Sequence, residues 1–76
     1  MTDKQIWQTI ALDLKRAANY LARGSDRKAE YYLAEAKSLY KKVRFKKSIK
    51  RIKKLIKFSG NPEDILLSST LIRSRI

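Results

Sequence analysis

The sequence contains no cysteine and no histidine among its 76 residues. Without cysteine there are no disulfides and no thiolate metal sites, so the redox compartment is left open. Without histidine the chain lacks the commonest general base and the commonest metal ligand. The two glycines, Gly24 and Gly60, do not form the glycine-rich motif of a phosphate-binding loop. We therefore expect no enzymatic activity, no metal site and no cofactor.

Long apolar runs are also absent, since the longest aliphatic run is Ile65-Leu66-Leu67. A transmembrane helix needs about 20 predominantly apolar residues. A signal peptide needs an apolar core, which the opening sequence MTDKQIWQ does not have. Neither segment is therefore supported, and a cytoplasmic location is the default expectation.

Size and composition favour one small folded domain over residues 1–76. A chain of this length buries only about 60% of the surface that its unfolded form exposes, so it needs an economical core or an oligomeric partner. The hydrophobic fraction is 43%. Such a fraction is typical of a folded globule, because disorder goes with low hydrophobicity as well as high charge.

Negative charge is missing from the middle of the chain. The 19 basic and 7 acidic residues give a net charge of +12. Residues 37–57 contain eleven of the basic side chains and no acidic one, whereas the segments before and after have net charges of +1 and zero. A localised excess of positive charge predicts a binding surface for a polyanion.

Two amphipathic helices are predicted in the first part of the chain. Thr2 and Gln5 have the spacing of a capping box, so the first helix covers about 3–23, with Gly24 after its C-terminus. The second helix covers about 25–43. At 100° per residue, each helix has an apolar stripe about 120° wide. The stripes comprise Ile6, Trp7, Ile10, Leu14, Ala17, Ala18 and Leu21, and then Ala29, Tyr32, Leu33, Ala36, Leu39, Tyr40 and Val43.

The short connection between these helices predicts an antiparallel αα-hairpin. Residues 13–40 resemble a single tetratricopeptide-type repeat through Tyr20, Gly24, Ala29, Leu33 and Ala36. Asp13 and Arg16 stand where that family has large apolar residues. A single unit does not form the peptide groove of a repeat array, so the resemblance implies hairpin packing and no function.

The segment KKSIKRIKKLIKF, residues 46–58, is predicted to be a third helix. If the second helix continued into it without interruption, its isoleucines would lie on the side opposite the apolar stripe. We therefore favour a bend near Val43 to Phe45, because a chain this small must fold back over its own core. Phe58 falls among the cations of this helix. The predicted packing edge comprises Phe45, Ile49, Ile52, Leu55 and Ile56.

The cationic side of that helix, with the residues that lead into it, is the main candidate site. Its charges repel one another, so binding of an anionic partner explains this run of cations better than a role in solubility does. The alternative is that the charged face is only solvated surface. Lysine outnumbers arginine nine to two over residues 37–57, which suits phosphate contacts more than bidentate reading of guanine. We expect weakly specific binding of a DNA or RNA backbone through Lys41, Lys42, Arg44, Lys46, Lys47, Lys50, Arg51, Lys53, Lys54 and Lys57.

A fourth helix is predicted over residues 62–73. The run Asn61-Pro62-Glu63-Asp64 provides an N-cap, a proline at the first helical position and two acids near the positive end of the helix dipole. Apolar side chains spread around most of its circumference, so the helix is either buried or shared with a second subunit. The surface for a homo-oligomer would comprise Leu66, Leu67, Leu71 and Ile72.

These patterns predict an all-α domain, a small three- or four-helix bundle built on the antiparallel αα-hairpin. One alternative function is a protein-interaction or oligomerising module that uses the C-terminal helix or binds an acidic protein. Peripheral binding to anionic membranes is less favoured, because the apolar edge of residues 46–58 is expected in the core. Asp13 could approach Glu30 or Glu35 as a carboxylate pair, but surface salt bridges are the more frequent arrangement of such acids.

Overall fold

Three α-helices contain most of the residues that the computed structural model describes, which are 2–44, 50, 55–56, 58 and 60–75. The helices are α1 (Asp3–Ala22), α2 (Asp26–Lys42) and α3 (Pro62–Arg75), and no strand occurs among the described residues. The predicted all-α class is therefore confirmed. Most of the helix predicted over residues 46–58 lies outside the described residues.

The ends of α1 follow the local chemistry of the sequence. The backbone N–H of Gln5 donates to Thr2 Oγ1 at 3.2 Å, and the N–H of Thr2 donates to Gln5 Oε1 at 2.9 Å, which completes the predicted capping box. Gly24 follows the helix with φ +80°. The N–H of Ser25 donates to the Tyr20 carbonyl and that of Gly24 to the Leu21 carbonyl, so the helix ends in a Schellman motif.

The bend that the sequence predicts between α2 and residues 46–58 begins at Val43. This residue has φ −77° and ψ 147°, so its backbone is extended, while its N–H still donates to the Leu39 carbonyl of the last helical turn. α2 therefore ends at Lys42 and does not continue into residues 46–58 as one long helix. The favoured bend is confirmed at its first residue, and Phe45 lies outside the described part of the chain.

The helix predicted to end at residue 58 does not reach that residue. Leu55 lies in a 3₁₀ turn, and Ile56 and Phe58 are not helical. Because the 100° step of an α-helix does not apply there, two predicted orientations are wrong. Leu55 is 54% exposed instead of packed, and Phe58 packs against the core instead of lying among the cations. Ile56 is buried in the core, as predicted.

α1 is the helix on which the other two pack. Trp7, Ile10 and Leu14 are completely buried, and the predicted stripe of α1 forms the largest part of the core. α2 fully buries only the alanines of its stripe, Ala29 and Ala36, while its larger stripe residues are half-buried. The core therefore depends most on the aromatic and aliphatic side chains of α1.

α3 packs through a face that its hydrophobic pattern did not indicate. The buried residues are Ile65, Ser68, Ser69 and Ile72, which have the three- and four-residue spacing of one helical face. The Ser69 hydroxyl donates to the Ala11 carbonyl at 2.7 Å, so small side chains bring the two helices close together. Leu66 and Leu67 are consequently exposed, whereas Ile72, which was assigned to an oligomer surface, is in the core.

Replacing Gly24 by alanine should lower the free energy of unfolding by about 1–2 kcal/mol, because an L-residue with a Cβ rarely adopts a positive φ. A Cβ at this position would meet no atom within 4 Å, so the loss reflects the backbone alone. Gly24→Asn is the matched variant and should lose less stability, since asparagine tolerates this conformation better. Equal losses in urea unfolding of the two variants would contradict this explanation.

Candidate nucleic-acid interface

Trp7 connects α1 to the start of the basic segment, which we define as residues 41–57. The Trp7 side chain is completely buried, and its indole Nε1–H donates to the Arg44 carbonyl at 3.0 Å. Arg44 is only two positions after the end of α2. A buried indole N–H requires an acceptor, so this bond holds the chain against α1 where it leaves α2.

The Tyr40 ring contacts both Trp7, which binds Arg44, and Phe58, which follows the basic segment in the chain. Its ring is 6.0 Å from that of Trp7 and 5.1 Å from that of Phe58, with edge-to-face angles of 87° and 73°. Burial raises the pKa of the Tyr40 hydroxyl above its usual value. Ile56 is buried in the same core. Among the described residues, the core therefore includes Val43 near the start of the basic segment and Ile56 near its end, and Phe58 packs against it.

The described cations of the basic segment all face solvent. Lys41, Lys42, Arg44 and Lys50 are exposed, and Arg44 combines an exposed side chain with a carbonyl that accepts from Trp7. Lys41 and Lys42 also lie in the last turn of α2, where positive charge interacts favourably with the helix dipole. The remaining predicted site residues lie outside the described part of the chain: Lys46, Lys47, Arg51, Lys53, Lys54 and Lys57.

A second ionisable cluster lies at the interface of α1 and α2. The Asp13 side chain is 1% exposed and shares a hydrogen bond with Glu35. Burial is the main reason why the pKa of Asp13 rises to about 7, with the Glu35 charge and hydrogen bond adding to the rise and Arg16 opposing it. For Asp13 the expected surface salt bridge is therefore wrong, because the short side chain points between the helices.

The Asp13 carboxyl group differs from an ordinary helix-surface acid in two respects. Its Oδ2 atom is buried without a hydrogen-bond partner, which makes the ionised form costly. The Arg16 guanidinium, which would otherwise be its partner within α1, lies 5.6 Å from the centre of the Tyr32 ring. Below about pH 7, a protonated Asp13 carboxyl group that donates to Glu35 suits this arrangement best.

The described residues show neither a metal-binding cluster nor a membrane-spanning helix. No group of three or more His, Cys, Asp or Glu side chains that could hold a metal occurs in the part of the chain that the structure describes. None of the helices among those residues is long and apolar enough to cross a membrane.

Comparison of the chain with protein-family models, with curated proteins and with solved structures finds no match.

Replacing Asp13 by asparagine should change how stability depends on pH. The folded state keeps a proton on Asp13 up to about pH 7, whereas the unfolded chain loses it near 3.8. This proton stabilises the native protein at low pH, and the contribution is lost as pH rises through 7. The wild type loses this contribution and Asp13→Asn does not. Between pH 5 and pH 8 the free energy of unfolding of Asp13→Asn should therefore rise, relative to that of the wild type, by on the order of 2 kcal/mol.

Urea unfolding of both proteins at several pH values measures this difference. Glu30→Gln on the exposed surface of α2 is the control, and it should follow the wild-type curve. A constant difference between Asp13→Asn and the wild type across this pH range would show that Asp13 does not titrate near neutrality.

Proposed function

We propose that this protein is a binding protein that holds its basic segment against a helical hairpin and contacts the phosphate backbone of DNA or RNA with little sequence specificity. The proposal includes the antiparallel arrangement of α1 and α2 and a cytoplasmic location, and it assigns no catalytic step. Charge, exposure and the anchoring of the basic segment support it.

Two aromatic contacts support the hairpin. Trp7 near the start of α1 contacts Tyr40 near the end of α2. Tyr20 near the end of α1 stacks on Tyr32 in the first half of α2, with ring centres 5.7 Å apart and planes 3° apart. Contacts between the start of one helix and the end of the other are those expected of an antiparallel pair. The basic segment then begins beside the N-terminal part of α1, where Trp7 binds it.

The observation that carries the proposal is the division of side chains around the basic segment. Ile56 is only 8% exposed and belongs to the core, whereas Lys41, Lys42, Arg44 and Lys50 are exposed. An apolar residue used in the core is unavailable to a lipid bilayer. Phosphate groups need only the outward cations, so a nucleic-acid backbone fits this division better than a membrane does.

Lysine-rich composition determines what kind of binding we expect. A lysine ammonium is a compact point charge, so it contacts a phosphate without imposing the planar geometry by which arginine reads guanine. Release of counterions from the nucleic acid then supplies most of the binding free energy. The protein should therefore bind many sequences with similar affinity.

A protein-interaction module remains the second candidate, and one observation favours it. Leu66 and Leu67 are 46% and 56% exposed on α3, and exposed leucines of this kind can contribute to a protein interface. Ile72 is in the core and Leu71 is half-buried, so the surface for a homo-oligomer is smaller than the sequence predicted. The high net positive charge also opposes self-association.

Binding to duplex DNA should weaken steeply as salt increases. With about five phosphate contacts, the slope of log K against log salt concentration should lie near −4 to −5. Fluorescence anisotropy with labelled duplexes of unrelated sequence measures this slope, and RNA duplexes and anionic vesicles extend the comparison. Salt-independent binding, or retention on vesicles only, would contradict the proposal.

Reversing the charge of the four described cations should remove most of this affinity. We expect Lys41→Glu, Lys42→Glu, Arg44→Glu and Lys50→Glu together to weaken binding at least about a hundredfold. Each phosphate contact that is lost means that one counterion fewer is released from the nucleic acid on binding. The control reverses four exposed cations elsewhere, so that the net charge is the same: Lys4→Glu, Lys15→Glu, Arg27→Glu and Lys37→Glu. An equal loss in the control would mean that only net charge matters.

A further inference from the structure

A groove between α1 and α3 combines positive charge with apolar surface. None of the residues that line it belongs to the basic segment. Its volume is about 560 Å³, and it is lined by Lys4, Gln8, Ala11, Leu12, Lys15 and Arg73. The α1 residues are spaced by three, four or seven positions, so they form one face of the helix. Arg73 contributes the cation of the opposite wall. From this arrangement we infer that the groove is a docking site for an acidic amphipathic helix of a partner protein.

The charges around the groove define the first requirement for its occupant. Lys4, Lys15 and Arg73 are exposed, and none of the residues known to line the groove in the described part of the chain is acidic. Lys4 and Arg73 come from different helices, so cations border the groove on both walls. An anionic segment is therefore attracted from either side.

The apolar surface of the groove defines the second requirement. Leu12 is 45% exposed, and Ala11 is buried at the floor. The Ser69 hydroxyl donates to the Ala11 carbonyl, so α1 and α3 lie close together at this point. A smaller cavity of about 310 Å³ follows further along the same two helices, and Leu66 contributes apolar surface there. The occupant needs apolar side chains to cover these leucines.

The spacing of the cations gives the length of the occupant. Lys4 and Lys15 are eleven residues apart on one helix, which corresponds to about 16 Å along the axis. A single small anion cannot contact both lysines. A helix with acids eleven residues apart and apolar residues between them on the same face matches both the charges and Leu12.

The charge at the far end of the groove indicates where the acidic part of the occupant lies. The smaller cavity is lined by Ala18, Asn19, Ala22, Pro62, Glu63 and Leu66. Glu63 repels an acidic side chain there, so the acidic part of the occupant should lie over Lys4, Lys15 and Arg73. A nucleic-acid backbone has closely spaced phosphates and no apolar side chains, which makes it a poor match for this groove. A second copy of this chain is disfavoured by its net charge of +12.

The test uses a fluorescently labelled synthetic helical peptide with glutamates at positions i and i+11 and leucines at i+4 and i+7. The full-length protein should bind it, and the chemical-shift changes in NMR spectra should centre on the groove. The double variant Lys15→Glu with Arg73→Glu should weaken binding about tenfold or more. The charge-matched control, Arg27→Glu with Lys37→Glu on α2, should not change it.

Two comparison ligands distinguish docking from general attraction. A peptide with glutamine in place of both leucines keeps the charge and should bind at least about tenfold more weakly, since apolar contact is lost. Duplex DNA should bind the groove double variant as tightly as the wild type. The inference is overturned if no peptide binds, if the control variant loses as much affinity, if the glutamine peptide binds equally well, or if DNA shifts the groove resonances.

Discussion

The hydrogen bond from the Trp7 indole to the Arg44 carbonyl is the contact on which the position of the basic segment depends. It lies just after the extended Val43, where α2 has ended. A buried donor without an acceptor costs about 1–3 kcal/mol. Burial of Trp7 in the core therefore favours a conformation in which the Arg44 carbonyl accepts its indole N–H. The Trp7 side chain thus connects the core to the candidate site.

Tyr40 extends this connection to the other end of the segment. Its ring contacts both Trp7 and Phe58, and Ile56 is buried nearby in the same core. Within the basic segment Val43 and Ile56 are buried, Leu55 is exposed, and the described cations are all exposed. In the proposed function, stability and binding therefore use different side chains of one segment: Ile56 serves the core and the lysines serve the phosphate backbone.

Local sequence patterns predicted the helices well, because their causes are local. The capping box at Thr2, the left-handed Gly24 and the Asn61 cap are each decided within a few residues. Periodicity also found the core stripes of α1 and α2. It failed for Leu55 and Phe58, where the α-helical step no longer applies. It also failed for Ser68 and Ser69, which are buried on α3, where the Ser69 hydroxyl donates to the Ala11 carbonyl of α1. The bond from Trp7 to Arg44 is a long-range contact, which no single-sequence pattern specifies. The pairing of Asp13 with Glu35 is an alternative that the sequence allows but does not favour, because it depends on how α1 packs against α2.

The rate of hydrogen exchange of the Trp7 indole Nε1–H is the most direct test of this account. If the bond to Arg44 anchors the basic segment, this proton should exchange only when the whole domain unfolds, with the same protection as the slowest backbone amides of α1. Exchange that is orders of magnitude faster, while the α1 amides stay protected, would show that the segment leaves the core independently. The basic segment would then be a tethered cationic chain, and the account of an anchored binding surface would be wrong.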